Sequence, residues 1–258
     1  RAEEQKTSQA KVVSLHNRYG WLKIAAAVLF FAGGSWLYYN QFMNHQVQFE
    51  TPGIVKTDTL PDGSRVTLNK YALLRYPEKF TGDQRNVTLV KGEGFFNITP
   101  NKAKPFIITT GKTTIRVVGT SFNVKNKNGL IEVIVETGIV QVTNSWNNTM
   151  IALKPGEMAL VNLKTGKVTR VKTPDNLYNY YRSKEFVAKN IPLSRLIQVL
   201  NEAYGSNVII DNTVPKNLLL TATFRTDKSL DELLYVISAA FKIKVEKTPN
   251  QIILKKAD

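Results

Sequence analysis

The 258-residue sequence contains no cysteine. Disulfides, thiol nucleophiles and every zinc site built on thiolates are thereby excluded. Histidine is nearly as scarce: His16 and His45 are the only two, and they flank an apolar stretch instead of sitting together. No histidine metal site or Ser-His-Asp triad is expected from them. Acid is the scarcer charge, with 20 Asp and Glu against 35 Lys and Arg and a net charge of +15. The excess is spread along the chain, +3 over residues 1–23, +9 over 24–172 and +3 over 173–258. It therefore lacks the concentrated basic stripe of a nucleic-acid groove, and no nucleic-acid partner is expected. No catalytic residue, metal ligand or cofactor site is expected either, and the chain reads as a non-enzyme. What remains is ample for folding. Hydrophobic residues make up 43% and charged residues 21%, enough to bury one large or two modest cores.

From Ile24 to Phe49 there is no charged residue, and Ile24 to Tyr39 is almost wholly apolar. With Trp21 and Leu22 the run reaches about 19 residues, near the ~20 that cross a bilayer core. Lys23 can snorkel at its edge, and Trp21 at one end with Trp36, Tyr38 and Tyr39 at the other make two aromatic belts. Lys11, Arg18 and Lys23 precede the run, whereas the first Lys or Arg after it is Lys56. The sequence thus predicts a cytoplasmic flank over 1–21, a single transmembrane helix over 22–40, and residues 45–258 on the far side of the membrane. A cleaved signal peptide, with Ala32-Gly33-Gly34 as the cut, fits less well because of the long acidic-containing flank and the aromatics beyond the cut. A buried globular helix fits less well because the run is apolar all round.

Residues 45–172 have almost no helical periodicity. Short β-branched runs such as Val66-Thr67-Leu68 and Ile131-Glu132-Val133-Ile134-Val135 are separated by turn signals, among them Pro61-Asp62-Gly63-Ser64, Asn128-Gly129 and Pro155-Gly156. This predicts an all-β domain, with sandwich, barrel and solenoid left open. Three glycines lead into strands with an apolar anchor: Gly92 before Phe95-Phe96, Gly119 before Phe122, and Gly138 before Val140. No helix follows them, so they read as turns and core anchors instead of a phosphate cradle. Glu132 and Glu136 share a strand face and read as solvated carboxylates.

After Pro174 the texture changes. Leu193, Leu196, Ile197, Leu200, Ala203 and Tyr204 follow helical spacing, with Gly205 as a stop. Ser229-Leu230-Asp231-Glu232 is a capping box opening a second helix with Leu230, Leu233, Leu234, Ile237, Ala240 and Phe241 on one stripe. Shifting by about 37 residues lays one stripe on the other. Strands are expected at Glu185–Ala188, Asn207–Ile210, Leu218–Phe224, Lys242–Glu246 and Gln251–Leu254. Residues 177–255 thus read as a small α+β module with a duplicated βαβ unit.

Several segments together resemble the FecR-type anti-sigma factors, transmembrane regulators of TonB-dependent transport. They are Pro61-Asp62-Gly63-Ser64-Arg65-Val66-Thr67-Leu68-Asn69, Val90-Lys91-Gly92-Glu93-Gly94-Phe95-Phe96, Val118-Gly119-Thr120-Ser121-Phe122-Asn123-Val124, Val135-Glu136-Thr137-Gly138 and Leu153-Lys154-Pro155-Gly156-Glu157. Phe186 to Leu193 and its repeat resemble the short secretin-and-TonB N-terminal module. The resemblance implies a bacterial inner-membrane protein with a cytoplasmic N-terminus and periplasmic C-terminal domains. It also implies three kinds of partner: an extracytoplasmic-function sigma factor, the signalling domain of a TonB-dependent transporter, and the intramembrane and periplasmic proteases that release the sigma factor. Only 23 residues precede the apolar run, too few for a helical sigma-binding domain, so that domain is expected upstream of Arg1.

A membrane-tethered glycan- or peptidoglycan-binding module is the alternative, with Tyr71, Tyr76, Trp146, Tyr178, Tyr180 and Tyr181 as stacking candidates. A secretin-like assembly component would need a barrel region that this sequence does not contain. For partner contact, Leu218 to Phe224 carries no charge and reads either as a central strand or as an unprotected sheet edge. In the second case Leu218, Leu220, Thr221, Thr223 and Phe224 are the contact candidates, through strand addition.

Overall fold

The computed structural model describes residues 20–42 and 46–257. The flank 1–19 and both histidines lie outside the described residues. The chain divides after Gln46 into two compact units. In the first, Gly20–Phe42 is one continuous helix, α1, running through Ala32-Gly33-Gly34. Trp21, Ile24, Leu29, Phe30, Phe31 and Trp36 are all exposed on it, so its described surface is apolar on every side. Among the described residues no helix is long and apolar enough to cross a membrane.

The second unit starts with thirteen strands in one sheet, organised by β5 (Arg85–Asn97). The first half of β5 pairs antiparallel with β4 (Leu73–Pro77) and parallel with β6 (Phe106–Thr110). From β6 the sheet continues through β7 (Thr113–Val117), β10 (Val140–Asn144) and β11 (Thr149–Leu153), while β1 (Gln46–Glu50) flanks β4. The second half of β5 pairs instead with β3 (Arg65–Leu68) and β8 (Ser121–Lys127). On that side follow β9 (Leu130–Thr137), β12 (Glu157–Asn162) and β13 (Val168–Lys172), with β2 (Lys56–Thr59) outside β3. β11 returns against β12 and β13, which leaves the sheet nearly closed. The all-β expectation holds, and the architecture left open by the sequence is this folded-over sheet.

Alternation along the strands fills the interior. Phe96 and Phe122, on paired strands, are fully buried and stacked with centroids 5.5 Å apart, within a core that also holds Leu68, Leu89, Ile108, Ile115, Ile131 and Leu153. The switch of partners inside β5 occurs at Gly92, whose φ is +87° and where a Cβ would stand 2.6 Å from the Ala72 backbone. Only glycine fits both the conformation and the close approach. Gly119 meets the second requirement alone, with Pro100 Cα at 2.6 Å from a built Cβ.

The remaining residues form a second core. After a 3-10 turn at Leu177–Asn179 and a short helix α2 (Tyr180–Ser183) come β14 (Glu185–Pro192), α3 (Leu193–Tyr204) and β15 (Val208–Ile210). The same order repeats as β16 (Leu219–Arg225), α4 (Leu230–Phe241) and β17 (Ile243–Lys247), and β18 (Ile252–Lys256) ends the chain. The capping box at Ser229 forms in both directions, and Gly205 closes α3 in the left-handed region. The strands flanking each helix go to different sheets: β14 pairs with β16, whereas β15 and β17 both pair with β18. Leu196, Ile197 and Leu200 of α3 and Leu233, Leu234 and Ile237 of α4 are buried in the shared core.

Candidate functional site

β16 pairs only with β14, so among the described residues one of its edges is free. The uncharged run that the sequence left ambiguous is therefore an edge strand. Its side chains alternate. Leu220 and Phe224 point into the core, and Leu219, Thr221 and Thr223 are exposed. This corrects the expected contact set in three places. Leu220 and Phe224 are core residues, and Leu218 precedes the strand with its carbonyl accepting from Leu193 N–H at 2.8 Å. The Thr221 hydroxyl accepts from the backbone N–H of Asn190 at 2.9 Å, stitching the β-bulge of β14. What the edge offers a partner is backbone together with the outward row Leu219, Thr221 and Thr223. The sequence reading passed over Leu219, 51% exposed.

Beside this edge lies a hollow of about 790 Å³. Thr223 and Phe224 form one wall, and Leu233, Tyr235 and Val236 of α4 form the other. Tyr235 and Val236 are open to solvent, and Arg225, Lys228, Asp231 and Glu232 line the rest. Unpaired strand groups next to an apolar cleft rimmed by charge are the features that an added strand uses.

A second polar assembly joins the α+β module to the β domain. Glu93, 8% exposed on β5, accepts from Asn69 Nδ2 at 3.0 Å and Asn123 Nδ2 at 2.8 Å. Tyr181 donates to Asn123 Oδ1 at 2.6 Å, and Tyr180 OH accepts from Asn69 at 3.2 Å. Lys125 of β8 pairs with Glu202 of α3 at 2.6 Å, and Lys70 Nζ donates to the carbonyl of Ala203. Burial raises the pKa of Glu93, against the opposing pull of Lys125 and the two asparagine amides. Burial also disfavours charge on Lys125, but Glu93, Glu202 and Glu132 outweigh it and its pKa is raised. Glu136 is not a solvated carboxylate as expected. It pairs with Arg182 and accepts from Tyr178 OH at 3.0 Å. The Arg182 guanidinium lies 3.5 Å over the Phe95 ring. Burial next to Glu136 raises the Tyr178 pKa.

The aromatics expected of a glycan platform are not gathered. Tyr76, Tyr180 and Tyr181 are buried, and only Tyr71 and Trp146 are well exposed. Among the described residues no group of His, Asp and Glu is arranged to hold a metal ion. Of the expected membrane-interface residues, Trp21 and Trp36 are exposed on α1 and Lys23 is its one charge. The side chains of Tyr38 and Tyr39 lie outside the described residues.

Comparison with known families and structures agrees with this architecture. The family model described as FecR protein matches residues 51–141, and the model described as FecR, C-terminal matches residues 185–254. Two crystal structures of a candidate anti-sigma factor from Parabacteroides distasonis, at 2.50 and 1.65 Å, are each 30% identical to this chain. They cover 83% and 82% of it and the whole of their own chains, with a TM-score of 0.64 in both cases. No curated protein matches it.

Proposed function

This chain belongs to the FecR family of anti-sigma regulators, and from that premise we propose that it relays the state of an outer-membrane TonB-dependent transporter to a cytoplasmic sigma factor. In this reading α1 anchors the protein in the inner membrane, residues 45–258 lie in the periplasm, and proteolysis ends the relay by releasing the sigma factor. The protein itself is not catalytic. The observation that carries the reading is the free edge of β16 beside the hollow of α4, a surface suited to an extended segment of the transporter's signalling domain. The apolar surface of α1 supports the anchor, because so many exposed aromatic and aliphatic side chains need a non-aqueous surrounding.

Leu219→Glu places a charge on the outward row of the edge without touching the core. It should weaken capture of the transporter's signalling domain by about tenfold or more, with an unchanged melting temperature. Capture at the wild-type level would move the contact to another surface. A reporter enzyme fused after residue 50 should be active only in its periplasmic form, and cytoplasmic activity would overturn the topology.

A further inference from the structure

Between the outer face of β2, β3 and β5 and the segment around α2 lies a second cleft, of about 510 Å³. This is within the size range of small-molecule sites, ~300–1,000 Å³. Its walls are Thr57 and Thr67, Asn97, Arg65, Arg182 and Lys184, and Phe95 is its apolar patch. No carboxylate lines it. Lys184 also borders the neighbouring hollow, which Glu185, Arg225 and Asp227 line, but it forms an ion pair with neither carboxylate, and Asp227 pairs with Arg225.

The hydrogen-bonding capacity left over in this cleft is almost all of one kind. Arg65 and Lys184 have no carboxylate partner among the described residues. The Thr57 and Thr67 hydroxyls meet at 2.9 Å, so one donates to the other and one hydroxyl hydrogen is left over. Asn97 already accepts from Ser121 through Oδ1 at 3.0 Å, which leaves its NH₂ group to donate. Arg182 is held by Glu136 and by its stack on Phe95, and adds positive charge that is already positioned. Lys184 is held in the left-handed region, φ +61°, where it ends α2 by donating its N–H to the Tyr180 carbonyl. A cleft with surplus donors, two cations without a carboxylate partner among the described residues, a third engaged with Glu136, and no carboxylate in its lining complements an oxyanion.

The other seam cavity differs in having the carboxylates Glu93 and Glu202 in its lining. Of its four lysines, Lys91, Lys125 and Lys70 are engaged with Glu50, Glu202 and the Ala203 carbonyl, and Lys127 alone has no such partner among the described residues.

We propose that the cleft of Arg65, Lys184, Arg182, Thr57, Thr67 and Asn97 binds a small oxyanion, the phosphate or carboxylate group of a soluble ligand. Arg65 supplies a planar fork for two oxygens, Lys184 a point charge, and the threonine and asparagine donors fix orientation. Because Arg182 also holds Glu136 of β9, an anion bound here touches the seam between the β domain and the α+β module.

The test is calorimetric titration of the full chain in detergent with inorganic phosphate and, separately, with malonate, at constant ionic strength in chloride. Saturable one-site binding of at least one of them is expected. Arg65→Gln and Lys184→Gln should each weaken it by about tenfold, and Thr67→Val should weaken it less. Lys102→Gln, at an exposed lysine outside the lining of the cleft, should leave it unchanged, and all four variants should melt as the wild type does. Tighter phosphate identifies a phosphoryl ligand, and tighter malonate a carboxylate. Absence of saturable binding by either anion, equal displacement by chloride, or wild-type binding in both charge variants would overturn the site.

Discussion

In the β domain, Phe96, Phe122 and Ile108 are buried on strands that pair with partners beyond their own hairpins. In the α+β module, the buried Leu196, Ile197 and Leu200 sit on one turn-by-turn stripe, as do Leu233, Leu234 and Ile237 on the other. The first core is assembled by long-range pairing and the second largely by local periodicity. The duplicated helices carry the same lesson on a smaller scale. Ala203 of α3 is buried, whereas its counterpart Ala240 on α4 is exposed. α3 meets the β domain through Glu202 and Ala203, and α4 instead leaves Tyr235 and Val236 open. Equal sequence patterns acquire unequal burial from what packs beside them.

The largest effect is expected in the β core. Phe96→Ala removes a fully buried ring and its stacking partner's contact, and should destabilise by about 3–5 kcal/mol. Denaturant unfolding gives the magnitude, and amide exchange gives the region. Protection should fall in the strands of the β domain before it falls in α3 and α4. An equal loss in both would mean that the two cores unfold as one, and the contrast between them would fail. Leu234→Ala, at 1% exposure, should cost about 2–5 kcal/mol, with the loss of protection starting in the α+β module. Ser229→Ala removes the cap from the Glu232 N–H and should cost about 1 kcal/mol. A neutral result would show that tertiary packing alone holds the start of α4.

The smallest effect is a slope against pH. Glu93 binds its proton more tightly in the folded chain than in the unfolded one, because burial raises its pKa. Stability should therefore decline as pH rises from the ordinary glutamate range through the raised value, and stay flat below that range, where both states are protonated. Glu93→Gln should remove this slope in urea melts taken at a series of pH values. A slope that survives in the variant would assign it to another group.

How much could be read in advance follows the same division. The capping box at Ser229, the stop at Gly205 and both helical stripes were legible because each depends on neighbours within a few residues. Strands in the β domain were legible as strands, from β-branched runs and turn glycines, but their partners were not. Nothing near Gly92 announces that β5 leaves one set of neighbours for another there, nor that it runs parallel to β6. Glu136 looked solvated for the same reason: its partners Tyr178 and Arg182 lie 42 and 46 residues away. The oxyanion cleft had no signal at all, since Thr57, Arg65, Asn97 and Lys184 form no motif.

The sequence by itself determined the absence of thiol chemistry, the apolar helix, the β character of the middle region, the repeated helices and the family resemblance. The resemblance rests on the segments that carry it, and the others on composition or on periodicity within an element. The tertiary structure alone decided that Leu219–Arg225 is an edge, that Leu220 and Phe224 face inward from it, and that Glu93 and Glu136 are held in a seam. Pairing, exposure and desolvation are properties of what surrounds a residue, and those surroundings come from segments that only folding brings together.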